Sequence, residues 1–552
     1  MKSPTRPCLI LFLAVLLLGV VYAAITQHAW EDYWITYRAS KNLATGHGLV
    51  FVPGERLHTF TSPIGVLLPA FFCWITGQSD QLSLWLFRIV SLSALAGGLI
   101  LLLQVLQKIG MRPLLCFFTV ALIGLDAKTL DFSINGMETG LMIFFLAFTL
   151  HSLLVDGPRQ VLRLGLAWAG LMWTRPDSFV HIGILSLMVL IFLPRPQTGR
   201  NGWWKYFIPA GLICAVLYLP WVIWAWHYYG SPVPNTIVAK SSVMPLLPAG
   251  KLIERFFLTP FNFTKQYGPY RAVFMPTDSF FGGWPLALEY TTAVIALLLS
   301  LAWLAPGLQR RTRIFSLAFF LGLFYLDSIV RGYHAWYIPP VAALGYLTLG
   351  MVFEDLLSLA KKSSQPGGDG GRPAVFPKIL QSIGCALVIG QSALLVCMGR
   401  EMTMQESLIE NGLRKPLGLW LHEHARSSHD TVMLEPLGYI GYYSQLKMYD
   451  YPGLSSREMV ETRKRLGPEK QNLVYRELKP DWLVLRPSEL AKPNPMIDPT
   501  HLDEMYDPVV VFDVSDKVAA VQWLPGRRYL QYDQKFYVFH IKDSAAAAPT
   551  AN

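Results

Sequence analysis

The sequence predicts a polytopic α-helical membrane protein with a soluble α/β domain at its C-terminal end. Three observations carry that expectation. Of 552 residues, 53% are hydrophobic and only 15% charged, where a soluble domain averages about 25% charged. Many apolar runs approach the ~20 residues a helix needs to cross roughly 30 Å of hydrocarbon. From about residue 400 this pattern gives way to short β-branched runs. A soluble protein would have to bury every one of those runs as a separate core helix, so that alternative is set aside.

In chain order, spans are expected near 8–26, 84–106, 113–126, 137–154, 161–174, 178–194, 205–226, 287–307, 313–330, 335–357 and 378–399, about 11 in all. The first follows a basic Lys2 and Arg6. Tyr22-Ala23-Ala24 resembles a cleavage site, but the run is long for a signal peptide and is expected to stay as an anchor. The run 63–77 is apolar but short and begins at Pro63, which suits an interfacial helix. Leaving it out places Lys2/Arg6, Lys108/Arg112, Arg159, Arg195/Arg200, Arg310/Arg311 and Lys361/Lys362/Arg372 all in inner segments, as the positive-inside rule asks. Counting it inverts everything downstream. The N-terminus is therefore expected in the cytoplasm, and the outer face of the membrane receives loops 27–83, 127–136, 175–177, 227–286 and 331–334 and the whole tail. The expected blocks are a membrane-embedded domain, 1–399, and an extracytoplasmic α/β domain, 400–552.

In the tail, "TVMLE", "DWLVLRP", "PVVVFDVS" and "KFYVFHIK" read as strands. "SLIENGLRKPLGLWLHEHA" reads as an amphipathic helix broken at its proline. Residues 401–552 hold 18 Lys+Arg and 21 Asp+Glu, a net of −3, so the overall +10 leaves +13 on residues 1–400. That excess lies in short inner loops and orients the chain; it does not indicate nucleic acid. The six cysteines lie in or beside apolar runs, with no metal-ligand spacing, so neither disulfides nor zinc is expected.

The ionisable residues that interrupt the apolar pattern fall on the outer side. They are Glu31, Asp32, Arg38, Lys41, Arg56 and His58 in the first loop, then Asp131, Asn135 and Glu138, then Arg175 and Asp177 in "TRPD", then Asn235 and Lys240, and finally Arg331 and His334. Ionisable groups at membrane depth are costly and point to function by default. Each has a plainer reading as well: acids beside a first span mark the outer side, and "TRPD" forms an ion-paired turn. A cleft lined by acids and cations and open to lipid would suit a substrate with a lipid tail and a phosphate-linked polar head.

Glu31-Asp32, Ile35-Thr36-Tyr37-Arg38, Asn42-Leu43, Gly46-His47-Gly48-Leu49-Val50, Pro53-Gly54-Glu55-Arg56 and Thr61-Ser62-Pro63 together resemble a bacterial GT-C type glycosyltransferase pattern. "NGMET", "TRPD", "YYGSPVPNTIVAK" and "GYIGYYS…YDYPGL" extend the resemblance to about Leu454. The nearest family is the terminal β-(1→2) arabinofuranosyltransferases. Two departures stand out: the usual Asp-Asp is Glu31-Asp32, and Leu57-His58-Thr59-Phe60 replaces a Val-Glu-Gly-Tyr stretch. The resemblance implies a GT-C-like fold. It also implies inverting transfer of a sugar, an arabinofuranose-like pentose favoured, from a polyprenyl-phosphate donor to a glycan, lipid or protein acceptor.

Such a transfer passes through an oxocarbenium-like transition state. It needs a base for the acceptor hydroxyl and cations for the departing phosphate. Asp32 is expected as the base with Glu31 as its helper. Arg175, Lys240 and Arg331 are expected at the phosphate, and Glu138, Asn235, Arg56 and His58 around donor phosphate and sugar. No cofactor is expected, and a divalent metal is possible but not required. The alternatives are a lipid-linked sugar flippase or transporter and a glycan-binding sensor. A transporter should show polar residues midway along several spans and internal repeat symmetry, and neither is visible in the sequence.

The loop charges generate a topological prediction. A reporter fused after Gly399 should read as external and one inserted at Gly368 as cytoplasmic; the opposite result at either position overturns the loop assignment.

Overall fold

The computed structural model describes residues 5–155, 157–193, 202–243, 245–277, 283–330, 334–363, 375–491, 496–522, 524–526 and 528–543. Each of the eleven expected spans falls on a helix. Seven helices among the described residues are long and apolar enough to cross a membrane. An eighth arises if the bent pair Pro113–Gly124 and Ala127–Ile134 counts as one span. Thr139–Leu154 and Pro176–Phe192 are apolar but shorter; at 16 residues the former reaches ~24 Å.

The chain packs as two compact units. The first comprises Met1–Ile25, Arg88–Pro220 and Leu247–Gly399 and holds most of the apolar helices. Its bent pair turns by 52° for a local reason. Asp126 ends one helix and caps the next, its Oδ1 accepting from the Thr129 N–H at 2.8 Å and from the Thr129 hydroxyl at 2.9 Å. The Tyr346 hydroxyl donates to its other oxygen at 3.1 Å. A side chain that accepts from the start of a helix competes with continuing the helix before it. Gly140 of the "NGMETG" motif lies against Ser91, where a Cβ would overlap the Ser91 carbonyl.

The second unit comprises Thr26–Phe87, Trp221–Leu246 and Arg400–Asn552. The expected blocks 1–399 and 400–552 therefore follow chain order but not packing: the first outer loop and part of the 227–286 loop join the tail. The reason is a shared core. Ile35 and Phe51 of the loop are buried with Ile409, Leu413, Ile440 and Met448 of the tail. Trp34 and Tyr37 pack against Tyr439 and Tyr442 of "GYIGYYS". The Arg38 guanidinium, fully buried, donates to the carbonyls of Gly441, Gln445 and Leu446 at 2.8–3.0 Å. Gly438 lies so close to the acidic motif that a Cβ would overlap the Glu31 carbonyl.

The tail sheet has the order β2-β1-β3-β5-β4, with β1 Thr431–Leu434, β2 Lys447–Asp450, β3 Trp482–Leu485, β4 Tyr506–Asp513 and β5 Lys535–Ile541. β1 is parallel to β2 and β3, while β5 is antiparallel to β3 and β4. Four strands coincide with the expected runs; β2, "KMYD", is a fifth. The helix expected to break at its proline instead continues from the last apolar helix through a π-helical stretch, Gln405–Arg414, into Lys415–His424. Pro416 sits in the first turn of that last segment. The wider turns before it release the backbone bond that a proline cannot make. Pro63–Ile75 is a 13-residue helix capped by Ser62 and exposing Phe71 and Trp74, which suits the interfacial role expected of 63–77.

A chain of buried charges ties this unit together. Arg414 pairs with Glu31 at 3.1 Å, with Glu410 at 2.8 Å and with Asp533. Asp533 also accepts from Arg486, which pairs with Glu489 at 2.8 Å and Glu435 at 2.7 Å. Acids outnumber the two arginines, so not all can ionise together. Asp533, between both guanidiniums, is held below the usual carboxylate range. Burial pushes Glu31 up to about 8 and Glu410 and Glu489 to about 7.

These shifts set a direction for stability. Between 4.5 and about 8, the native state keeps the Glu31 proton that an unfolded chain has lost, and linkage then makes stability fall as pH rises. Glu410 and Glu489 act in the same sense. The unfolding midpoint in detergent should therefore drop from pH 5 to pH 8, and Glu31→Gln should flatten that drop. An equally steep drop in the variant would remove Glu31 from the account.

Candidate functional site

The acidic motif opens the helix Glu31–Ala44, whose N-cap Trp30 has extended backbone. Both acids stand in the first turn, where the helix dipole favours negative charge. They are otherwise unlike. Glu31 uses both oxygens inside the second unit: Oε1 accepts the Gly438 N–H at 3.1 Å and Oε2 meets Arg414. Asp32, half-buried, is one residue further round the turn. Lys41 is held by Asp80 at 2.9 Å and by the Tyr442 hydroxyl at 2.8 Å. Arg38 and Lys41, two of the first-loop cations, are thus engaged by the protein itself.

A second cluster lies within the first unit. Arg175, at the end of helix Gln160–Thr174, pairs through Nε with Asp177 at 3.0 Å and through Nη1 with Glu138 at 3.4 Å. Its guanidinium lies 4.2 Å from the centre of the Tyr337 ring. The Tyr325 hydroxyl donates to Asp177 at 2.6 Å. The sequence singled out Glu138, Arg175 and Asp177; Tyr325, Tyr337, His181 and Trp336 complete the surroundings. The cavity among them is about 10 Å³, the space of one water. "TRPD" is therefore an ion-paired turn, with three charged side chains brought into one buried place.

A third group is in the second unit. His58 is buried and stacked on Tyr229, ring centres 4.6 Å apart and planes 10° apart. Burial lowers its pKa to about 4, so the ring is neutral at pH 7. The Asn235 N–H donates to the His58 carbonyl at 2.8 Å, and its amide to the carbonyls of Gly453 at 2.8 Å and Leu454 at 3.0 Å. Asn235 thus fastens "SPVPN" to "YDYPGL". Lys240 and Arg56 are exposed, Arg56 with its guanidinium 5.1 Å from the Tyr228 ring centre. A cavity of about 220 Å³ opens beside His58 and Asn235. Arg457, Glu461 and Lys464 on its wall went unnoticed in the sequence, because a charged helix reads as a solvated face. Arg331 lies outside the described residues. Among the described residues, no group of three or more His, Cys, Asp or Glu is placed to hold a metal ion.

Comparisons with known proteins add the following. Residues 402–538 match a family model described as "Domain of unknown function (DUF8728)". The chain is 25% identical over 289 residues to the terminal β-(1→2)-arabinofuranosyltransferase of Corynebacterium glutamicum, covering 47% of this chain and 40% of that protein. It is 24% identical over 281 residues to the protein of the same name from Mycobacterium tuberculosis, covering 47% and 41%. The chain thus spans about two fifths of the length of the curated relatives it matches. The crystal structure of ArnT from Cupriavidus metallidurans bound to undecaprenyl phosphate aligns with 99% of this chain and 100% of that one, at 13% identity and a TM-score of 0.49. The cryo-EM structure of arabinofuranosyltransferase AftD from Mycobacteria aligns with 98% and 40%, at 14% identity and 0.47. This chain, many-helixed and apolar, is thus similar over about half its length to proteins named as arabinofuranosyltransferases.

Proposed function

We propose that this chain is a membrane glycosyltransferase of the GT-C type. It moves a sugar, an arabinofuranose-like pentose favoured, from a polyprenyl-phosphate donor to a cell-envelope acceptor, with inversion, at the outer face of the cytoplasmic membrane. The observation that carries the reading is the acidic motif. One acid, Glu31, is bound into a buried ion network, and its neighbour Asp32 stands half-buried in the same helical turn. The similarity to arabinofuranosyltransferases supports the choice of chemistry.

In this reaction the acceptor oxygen forms a bond to the anomeric carbon as the bond from that carbon to the phosphate oxygen breaks. The leaving lipid phosphate keeps the electron pair, and the acceptor proton passes to Asp32. Glu31, holding a proton near neutral pH and tied to Arg414, orients the turn and does not take that proton. Arg175 is proposed for the phosphate, with Lys240 and Arg331 as further candidates. Phosphate would replace Glu138, the longer of the two ion contacts at Arg175, and leave the Asp177 contact in place. A forked guanidinium suits that exchange. The scheme needs no metal; a requirement for one would appear as loss of transfer in EDTA.

Two measurements on purified protein in nanodiscs test this. Asp32→Asn should lower transfer of labelled sugar from a synthetic polyprenyl-phosphate donor by about 10²–10⁴-fold, with donor binding intact, and Glu31→Gln should lose far less. Near-normal turnover in Asp32→Asn sinks the base assignment. Movement of lipid-linked sugar between leaflets without transfer would favour the flippase.

Arg175→Ala and Lys240→Ala should each weaken donor binding while the fold survives. Lys240 is the cleaner test, since its exposed side chain has little to lose structurally. Unchanged donor affinity in both variants would leave Arg175 as an ion-paired turn and Lys240 as surface charge.

A further inference from the structure

The cavity beside His58 belongs wholly to the second unit. One wall is the loop residue His58 with Tyr229 and Asn235; the other is the tail helix Arg457–Leu466. On that helix Arg457, Glu461 and Lys464 are spaced by four and three, which puts them on one face. All three are exposed. The volume of about 220 Å³ is below the ~300–1,000 Å³ of pockets for drug-sized ligands, which suits a single sugar ring.

A second observation points to a ligand. His58 is 4% exposed, and its Nδ1 is buried with no hydrogen-bond partner in the protein. Buried polar atoms are almost always paired, and an orphan on a residue that lines a cavity asks for an explanation. The other polar atoms here have been used: Asn235 on the carbonyls of Gly453 and Leu454, the Tyr229 hydroxyl on the Leu49 carbonyl at 2.6 Å. The stacked His58–Tyr229 pair gives a rigid wall.

We propose that this cavity holds a neutral sugar ring of the glycan acceptor, set against the stacked His58–Tyr229 wall and read by hydrogen bonds from Glu461, Arg457 and Lys464. The choice of a neutral polyol over an anion rests on the mixture of groups. Glu461 stands between the two cations and would oppose a phosphate, and the neutral His58 adds no positive charge. Hydroxyls both donate and accept, so they can satisfy a carboxylate and two cations at once. This inference rests on the transferase reading but is tested apart from it.

The probe is a synthetic arabinofuranose oligosaccharide with a free 2-hydroxyl at its non-reducing end. Its binding to full-length protein in nanodiscs is measured by calorimetry without donor. Glu461→Ala and Lys464→Ala should each raise the Kd at least about tenfold, which corresponds to ~1.4 kcal/mol. Arg465→Ala, on the same helix but off the cavity wall, should change nothing. In both cavity variants the KM for the glycan should rise with the Kd. An unchanged Kd in both overturns the proposal. So does displacement of the glycan by inorganic phosphate together with tighter phosphate binding in Glu461→Ala, which would mark an anion site. Glycan binding that depends on Glu461 without any transfer would keep the cavity and remove the transferase; transfer with glycan affinity indifferent to both variants would do the reverse.

Discussion

The second unit depends on the buried guanidinium of Arg414. It gathers Glu31 from the first outer loop, Glu410 from its own helix and Asp533 from the turn before β5. Glu410 is one helical turn away, but Asp533 is 119 residues from Arg414 and Glu31 lies in a different region of the sequence, so local structure alone would not bring them together. Burying a lone charge costs several kcal/mol, and breaking such a network by removing one member costs about 3–5 kcal/mol. The arrangement therefore tolerates little slack: the acidic loop must be where Arg414 is, or both are stranded. Arg38 repeats the logic with neutral partners, closing three carbonyls around the "GYIGYYS" helix. The motifs at residues 31–38 and 438–444 are thus two halves of one packed element.

That dependence separates two acids that look alike. Adjacent carboxylates on the first turn of a helix feel the same dipole, but Glu31 also feels burial and a crowd of other acids, and burial is the larger effect. The departure from an Asp-Asp pattern has a physical sense here: the longer Glu31 side chain spans from the helix to both Arg414 and the Gly438 N–H. Asp32, shorter by one methylene, stands half-buried in the same first turn.

Much of this was legible in the sequence. Apolar runs of helical length and β-branched runs are local signals, so the apolar spans and four of five strands could be read off in order, whereas Ala127–Ile134, expected in the outer loop 127–136, is a buried helix. β2 was missed because "KMYD" is four residues long and mixes charge with aromatics. The grouping of the first loop with the tail was not legible, since which apolar face meets which is a non-local fact. The same limit blurred the site. Asn235 and Arg38 looked like ligand-binding residues, and they bind backbone carbonyls; a polar side chain in a Gly- and Pro-rich motif has the same local signature whether it serves the chain or a substrate. Arg457, Glu461 and Lys464 failed in the opposite direction, exposed and charged on a helix that reads as ordinary surface.

The broken helix of the first unit bears on the rival transport reading. Discontinuous helices with buried polar groups are what a transporter uses to coordinate its cargo, and the pair 113–124 and 127–134 brings Asp126, Lys128, Asp131 and Asn135 into the interior. What matters is where their hydrogen bonds go. Asp126 is taken by the helix start it caps and by Tyr346. Lys128 donates to the Met275 carbonyl, and Asn135 to Asp131 at 3.0 Å. Arg88 covers the end of the second helix by donating to the Ile134 carbonyl at 2.7 Å. Asp126 and Arg88 meet backbone groups at the two ends of the second helix, while Lys128 and Asn135 bond elsewhere within the unit. Asp126 and Arg88 thus help to begin and end a helix in an apolar surround. That is how polar groups let a helix break inside a membrane domain without stranding its ends.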